Sequence, residues 1–71
     1  MKFIVAGNYN EYLDFIRQLK LNPNKHRFVD NCILFAGIEN PDVSFIGTAG
    51  DREDISDILD AIRIRTRKVI A

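Results

Sequence analysis

Cysteine occurs once in this 71-residue sequence, at Cys32, and histidine once, at His26. An internal disulfide is excluded, and a structural zinc site lacks its ligands. An excess charge of either sign is also missing: ten basic and ten acidic side chains cancel. That balance argues against broad nucleic-acid binding and against an anionic membrane surface. No apolar run approaches the roughly 18 residues of a membrane span, and no signal-peptide pattern leads the chain. The expectation is a soluble, cytoplasmic protein, with strand beginning directly after Met1-Lys2 and no leader.

The diagnostic loops of nucleotide and acyl chemistry are missing too. A dinucleotide fold needs G-x-G-x-x-G after its first strand, so that backbone can approach a pyrophosphate. Only Gly7 stands there. No Gly-Lys pair exists for a P-loop, and Ser44 and Ser56, the only serines, lie outside any G-x-S-x-G elbow. Receiver domains need paired acids after the first strand, where this chain has Gly7-Asn8. Neither a catalytic constellation nor a cofactor or metal site is expected.

What remains is 46% hydrophobic and 28% charged, the composition of one small globular domain spanning residues 1–71. Chains of this size bury only about 60% of their unfolded surface and usually need a disulfide, a metal or a partner subunit. With the first two unavailable to this chain, close packing or self-association is left.

Along the chain the apolar spacing alternates between two periods. Phe3, Ile4 and Val5 are consecutive β-formers, as in a strand buried on both faces. Asn8-x-x-Glu11 resembles a capping box, and Tyr12, Leu13, Ile16 and Leu19 follow helical spacing, predicting a helix over about 10–20 that Asn22-Pro23-Asn24 ends. A short strand over 25–30 centres on Phe28 and Val29. Cys32-Ile33-Leu34-Phe35-Ala36 reads either as one helical turn closed by Gly37 or as an extension of that strand; the turn is preferred. A third strand covers Val43–Ile46. Ile55, Ile58, Leu59 and Ile62 predict an amphipathic helix over 51–64, acidic at its start and basic at its end. The tail, residues 67–71, is a short fourth strand or a frayed end.

This rhythm implies parallel strands joined by right-handed crossovers. The expected fold is α/β: a minimal three-stranded parallel sheet of order 2-1-3 with two main helices and one short one, Rossmann-like. In such sheets ligands bind beyond the carboxyl ends of the strands, where the strand order reverses. Two corners meet there, Gly7-Asn8-Tyr9-Asn10 and Gly47-Thr48-Ala49-Gly50-Asp51-Arg52, with Asp30 at the end of strand 2. The candidate ligand-binding residues are Gly7, Asn8, Tyr9, Asn10, Asp30, Gly47, Thr48, Asp51 and Arg52. They serve the alternative to a protein-interaction role: binding of a nucleotide or phosphate by helix N-termini, with Arg52 supplying charge. The competing structural reading makes Gly7 and Gly47 turn residues, and Asn8, Thr48, Asp30 and Asp51 helix caps.

Two further stretches suggest protein partners. Ile33, Leu34 and Phe35 are hard to bury in so short a chain, and Arg63, Arg65 and Arg67 concentrate charge able to meet an acidic surface. With unpaired sheet edges, they lead to the expectation of a homodimer.

The segments FIVAGNYNEYLDFI and VSFIGTAGDREDISDIL resemble small bacteriophage-encoded Rossmann-like proteins over about two-thirds of the chain. The resemblance implies a phage accessory protein that binds a host protein or a nucleotide.

Overall fold

Residues 1–66 are described by a computed structural model. Strand β1 (Lys2–Val5) is central, with β2 (His26–Phe28) on one side and β3 (Asp42–Phe45) on the other, both parallel to it. The register pairs Ile4 with Phe28 and with Ser44. Helices α1 (Tyr9–Gln18) and α2 (Ile55–Arg65) complete an α/β domain of the expected strand order, with three short 3₁₀ turns in its connections.

The apolar run of β1 is explained by layers on both faces of the sheet. Phe3 and Val5 point into a core with Val29, Phe35, Ala49, Ile58 and Ala61, under α2 and the 3₁₀ turn Cys32–Phe35. Ile4 and Ala6 point the other way, against Tyr12 and Ile16 of α1. The four residues Phe3 to Ala6 are therefore all buried. Side-chain alternation along a strand requires this outcome wherever both faces are covered.

The outer strands, His26–Phe28 and Asp42–Phe45, differ from expectation by one or two residues at their ends, and three further details differ, each for a local reason. First, α1 ends before Pro23. Leu21 N–H donates to Ile16 O at 3.0 Å and Lys20 N–H to Arg17 O at 3.2 Å, with Lys20 at φ +52°. This is a Schellman ending, with Leu21 and Ile16 sharing one apolar cluster. Pro23 instead opens a 3₁₀ turn, Pro23–Lys25, capped by the Asn22 side chain.

Second, α2 starts at Ile55 rather than 51. Ala49–Asp51 forms a 3₁₀ turn, Arg52 is extended (φ −69°, ψ 142°), and Asp54 is the N-cap without a side-chain capping bond. Third, Cys32–Phe35 is a helical turn as preferred, but of the tighter 3₁₀ kind. Asn31 Oδ1 accepts from Ile33 N–H at 2.9 Å, and Gly37 follows at φ +77°. The expected caps Asp30, Thr48 and Asp51 make no capping bond, whereas Asn8 does, accepting from Glu11 N–H at 2.9 Å. The proposed fourth strand and Arg67 lie outside the described residues.

Candidate functional site

The carboxyl ends of the strands converge as the topology demands, and two charged side chains occupy the convergence. The carboxylate of Glu11 lies between the two glycine corners. Its Oε1 accepts from Gly7 N–H at 2.7 Å and from Thr48 N–H at 3.0 Å, and its Oε2 accepts from the Thr48 hydroxyl at 2.7 Å. These bonds favour the charged form. The Thr48 hydroxyl, then the Thr48 and Gly7 amides, hold the Glu11 carboxyl below its ordinary range.

Both glycines serve this arrangement. A Cβ on Gly7 would collide with the Thr48 hydroxyl, and one on Gly47, already at φ +55°, would collide with the Glu11 carboxylate. Gly7 is thus required by close approach, and Gly47 by close approach together with its left-handed backbone.

The guanidinium of Arg52 is the counterpart. Its Nη1 donates to Ala6 O at 3.1 Å and Val29 O at 2.6 Å, and its Nη2 to Asp30 O at 2.9 Å. Nε and Nη2 also hold the two oxygens of Asp54, each at 2.9 Å. All five guanidinium N–H groups are thereby used. The side chain is 10% exposed, and its Cζ lies 5.7 Å from the centre of the Phe28 ring. This explains why α2 begins late: Arg52 must be extended to reach the ends of β1 and β2, and Asp54 is drawn away from capping.

The structure therefore brings Gly7, Gly47, Thr48 and Arg52 together, but the donors of Gly7, Thr48 and Arg52 are engaged within the chain. Asp30 takes part through its backbone carbonyl. Asn8 caps α1, and Asn10 and Asp51 are exposed. Tyr9 stacks on Tyr12 at 5.8 Å and meets Phe28 edge-on at 5.5 Å. Buried Tyr12 donates to His26 O at 3.3 Å, and desolvation, with nearby Tyr9, raises its hydroxyl pKa.

Sequence reasoning missed the roles of Glu11 and Asp54. A signal for Glu11 was present. A glutamate at the third position of a capping box reaches backward, and here it passes the cap to Gly7 and crosses to Thr48, 37 residues on.

A second place is apolar and open. Between the turn Cys32–Phe35 and α2 runs a groove of about 410 Å³, with Cys32, Ile33 and Ala36 on one wall and Asp57, Ala61 and Ile64 on the other. Ile33 is 75% exposed and Ile64 72%. Beyond Ile64 lies another hollow, of about 360 Å³, bordered by Gly37 and Ile38. Arg65 ties the walls together, donating from Nε to Phe35 O at 2.6 Å and from Nη1 to Ala61 O at 3.0 Å.

Of the expected partner residues, Ile33 is exposed. Phe35 is fully buried, edge-on to Phe3 at 5.2 Å, and Leu34 packs against the same core. The 3₁₀ turn is what buries them, folding Leu34 and Phe35 back over the sheet and leaving Ile33 outside. Arg65 is structural in the way just described. Arg63 is exposed and pairs with Asp60 at 3.2 Å.

Among the described residues no group of three or more His, Cys, Asp or Glu side chains is placed to hold a metal ion, and no helix is long and apolar enough to cross a membrane. Compared with family models, curated proteins and solved structures, the chain matches none.

Proposed function

We propose that this chain is a small non-enzymatic interaction module that meets another protein surface through the face shared by the turn Cys32–Phe35 and α2. The observation that carries this reading is the exposure of Ile33 and Ile64 on either side of the apolar groove. Large apolar side chains clustered at a groove mark contact surfaces more often than isolated ones do. The resemblance to phage-encoded proteins supplies a setting, the cytoplasm of an infected cell, and a class of partner, a host protein. Nucleotide or phosphate binding at the strand ends is less favoured. It requires the Gly7 and Thr48 amides that Glu11 already uses, and an arginine with no free N–H.

The test is capture of binding polypeptides from a bacterial lysate by the immobilised chain and by its Ile64→Asp and Ile33→Asp variants, with circular dichroism confirming the fold. Specific capture, abolished by either substitution, is the expected result. Capture that ignores both substitutions, or a melting temperature raised by a nucleotide instead, would overturn the reading.

A further inference from the structure

Beyond that reading, and on the opposite flank of α2, we infer that the open edge of β3 pairs with β3 of a second copy of this chain. The two strands run antiparallel about a two-fold axis through Ser44 and join the two sheets into one.

Ile46 N–H donates to Val5 O at 2.9 Å, and Val5 is in register with Phe45. Backbone groups point alternately to the two sides of a strand. Ser44 and Ile46 therefore face β1, while Val43 and Phe45 turn their N–H and C=O outward. Among the described residues nothing bonds to these four groups. The β2 edge differs. Val29 N–H donates to Ile4 O at 3.0 Å, which turns His26 outward, but the Tyr12 hydroxyl takes the His26 carbonyl, and Lys25 and Arg27 flank it. Basic side chains guard an edge strand against pairing. Strand β3, Asp-Val-Ser-Phe, has none, and its guards, Pro41 and Asp42, precede both outward residues.

Symmetry selects the occupant. An antiparallel partner meets outward groups in pairs, each pair of residues exchanging both bonds. Val43 and Phe45 stand on either side of Ser44. A two-fold axis there pairs Val43 of each copy with Phe45 of the other and leaves none of the four groups over. Val43 and Phe45 share the sheet face of Phe3 and Val5, toward α2. On that face the register sets a phenyl ring against a valine, a favourable cross-strand pair. Asp42 meets Ile46 rather than its own copy.

The same arrangement covers two exposed apolar side chains, Phe45 at 45% and Leu59 at 49%. Leu59 lies in a stripe with Ile55 and Ile62 along α2, turned away from the groove residues Asp57 and Ile64 and so toward β3. Strands lie about 4.8 Å apart, so helices over the β1–β3 half of each copy come within about 10 Å, the spacing of packed helices. A short chain with one free cysteine thereby gains buried area that its size denies it.

The experiment is oxidative cross-linking of the full chain, with the native thiol removed by Cys32→Ser. In this register Ser44 opposes Ser44 of the other copy as a non-hydrogen-bonded pair with Cα atoms about 4.5 Å apart, within disulfide range. Ser44→Cys should form a covalent dimer. Phe45→Cys, out of step with its own copy, should cross-link about tenfold more slowly. Sedimentation equilibrium from micromolar to about 100 µM should show the wild type self-associating. Phe45→Lys, outside the monomer core, should weaken that association about tenfold with an unchanged circular dichroism spectrum.

A wild-type chain that stays monomeric overturns the inference, including one in which residues 67–71 supply the expected fourth strand to this edge. So does equal cross-linking at the two positions, or a dimer indifferent to Phe45→Lys. Lysate capture through Ile33 and Ile64 uses the other flank of α2 and should survive Phe45→Lys. Capture lost with that substitution assigns the edge to a strand of another protein and overturns the second-copy assignment.

Discussion

The strand ends and the α2 face are opposites. At the strand ends, polar groups from three separate loops are satisfied by two side chains of the chain itself. Glu11 collects amides and a hydroxyl, and Arg52 collects carbonyls and a carboxylate. At the α2 face, two isoleucines are left in water beside a groove. The first region is where an α/β sheet offers its ligand crevice, and here that crevice is closed from within. The second has no place in the usual geometry of such sheets, yet it is the one that leaves large apolar side chains exposed. A topological switch point is therefore only an opportunity; whether it is open depends on which side chains the loops send into it.

This contrast can be broken most forcefully at Arg52. Arg52→Leu leaves three carbonyls and the Asp54 carboxylate without their donors. The network is partly buried; each group left without its donor costs about 1–3 kcal/mol where water does not reach it, so a total of roughly 3–5 kcal/mol is expected, measurable by urea unfolding. That is a large share of the roughly 5–15 kcal/mol total of a small domain. A loss below about 1 kcal/mol would mean that water satisfies these groups and the crevice is not sealed.

Two neighbours in one 3₁₀ turn sharpen the other half of the comparison. Phe35→Ala should cost about 3–4 kcal/mol, by removing a ring packed against Phe3. Ile33→Ala, two residues away and exposed, should change stability by no more than about 0.5 kcal/mol. Equal losses at the two positions would show that Ile33 belongs to the monomer core.

Glu11 makes the sealed end sensitive to acid. Its folded-state pKa lies below the unfolded value, so its contribution is fully present above the ordinary carboxylate range. That contribution is lost as pH falls through the lowered pKa. Glu11→Gln should flatten that part of the stability–pH profile, as read by thermal melts in a pH series; an unchanged profile would remove Glu11 from its assigned role. A small effect of opposite sign is expected at Lys20, whose left-handed backbone (φ +52°) carries a strain of about 1 kcal/mol. Lys20→Gly should therefore raise stability by up to about that amount in the same denaturation assay.

The part of the fold that rests on local pattern was legible in the sequence. Four adjacent apolar residues at β1 announce burial on both faces, and the alternation of strand and helix signals announces parallel strands in the order found. The Asn8 cap was equally readable, because its partner is three residues away. What was not legible depends on distant partners. Nothing near Arg52 says that it will reach Ala6, 46 residues earlier in the chain, and so delay a helix whose periodicity begins sooner. Nothing near Gly7 says that Thr48 leaves no room for a Cβ. Phe35 looked exposed because a short apolar run cannot reveal which of its members a 3₁₀ turn will fold inward. The end of α1 was misplaced because lysine is an uncommon occupant of the left-handed position that usually declares itself as glycine.

The reach of Arg52 also bears on how the protein is made. A nascent chain that has emerged only as far as β3 has its strands available but not the guanidinium that closes the ends of β1 and β2. Until that arginine leaves the ribosome, the backbone carbonyls of Ala6, Val29 and Asp30 have only solvent to bond with. Closure of the strand ends therefore follows pairing of the strands, and the ends of the first two acquire their final protection together.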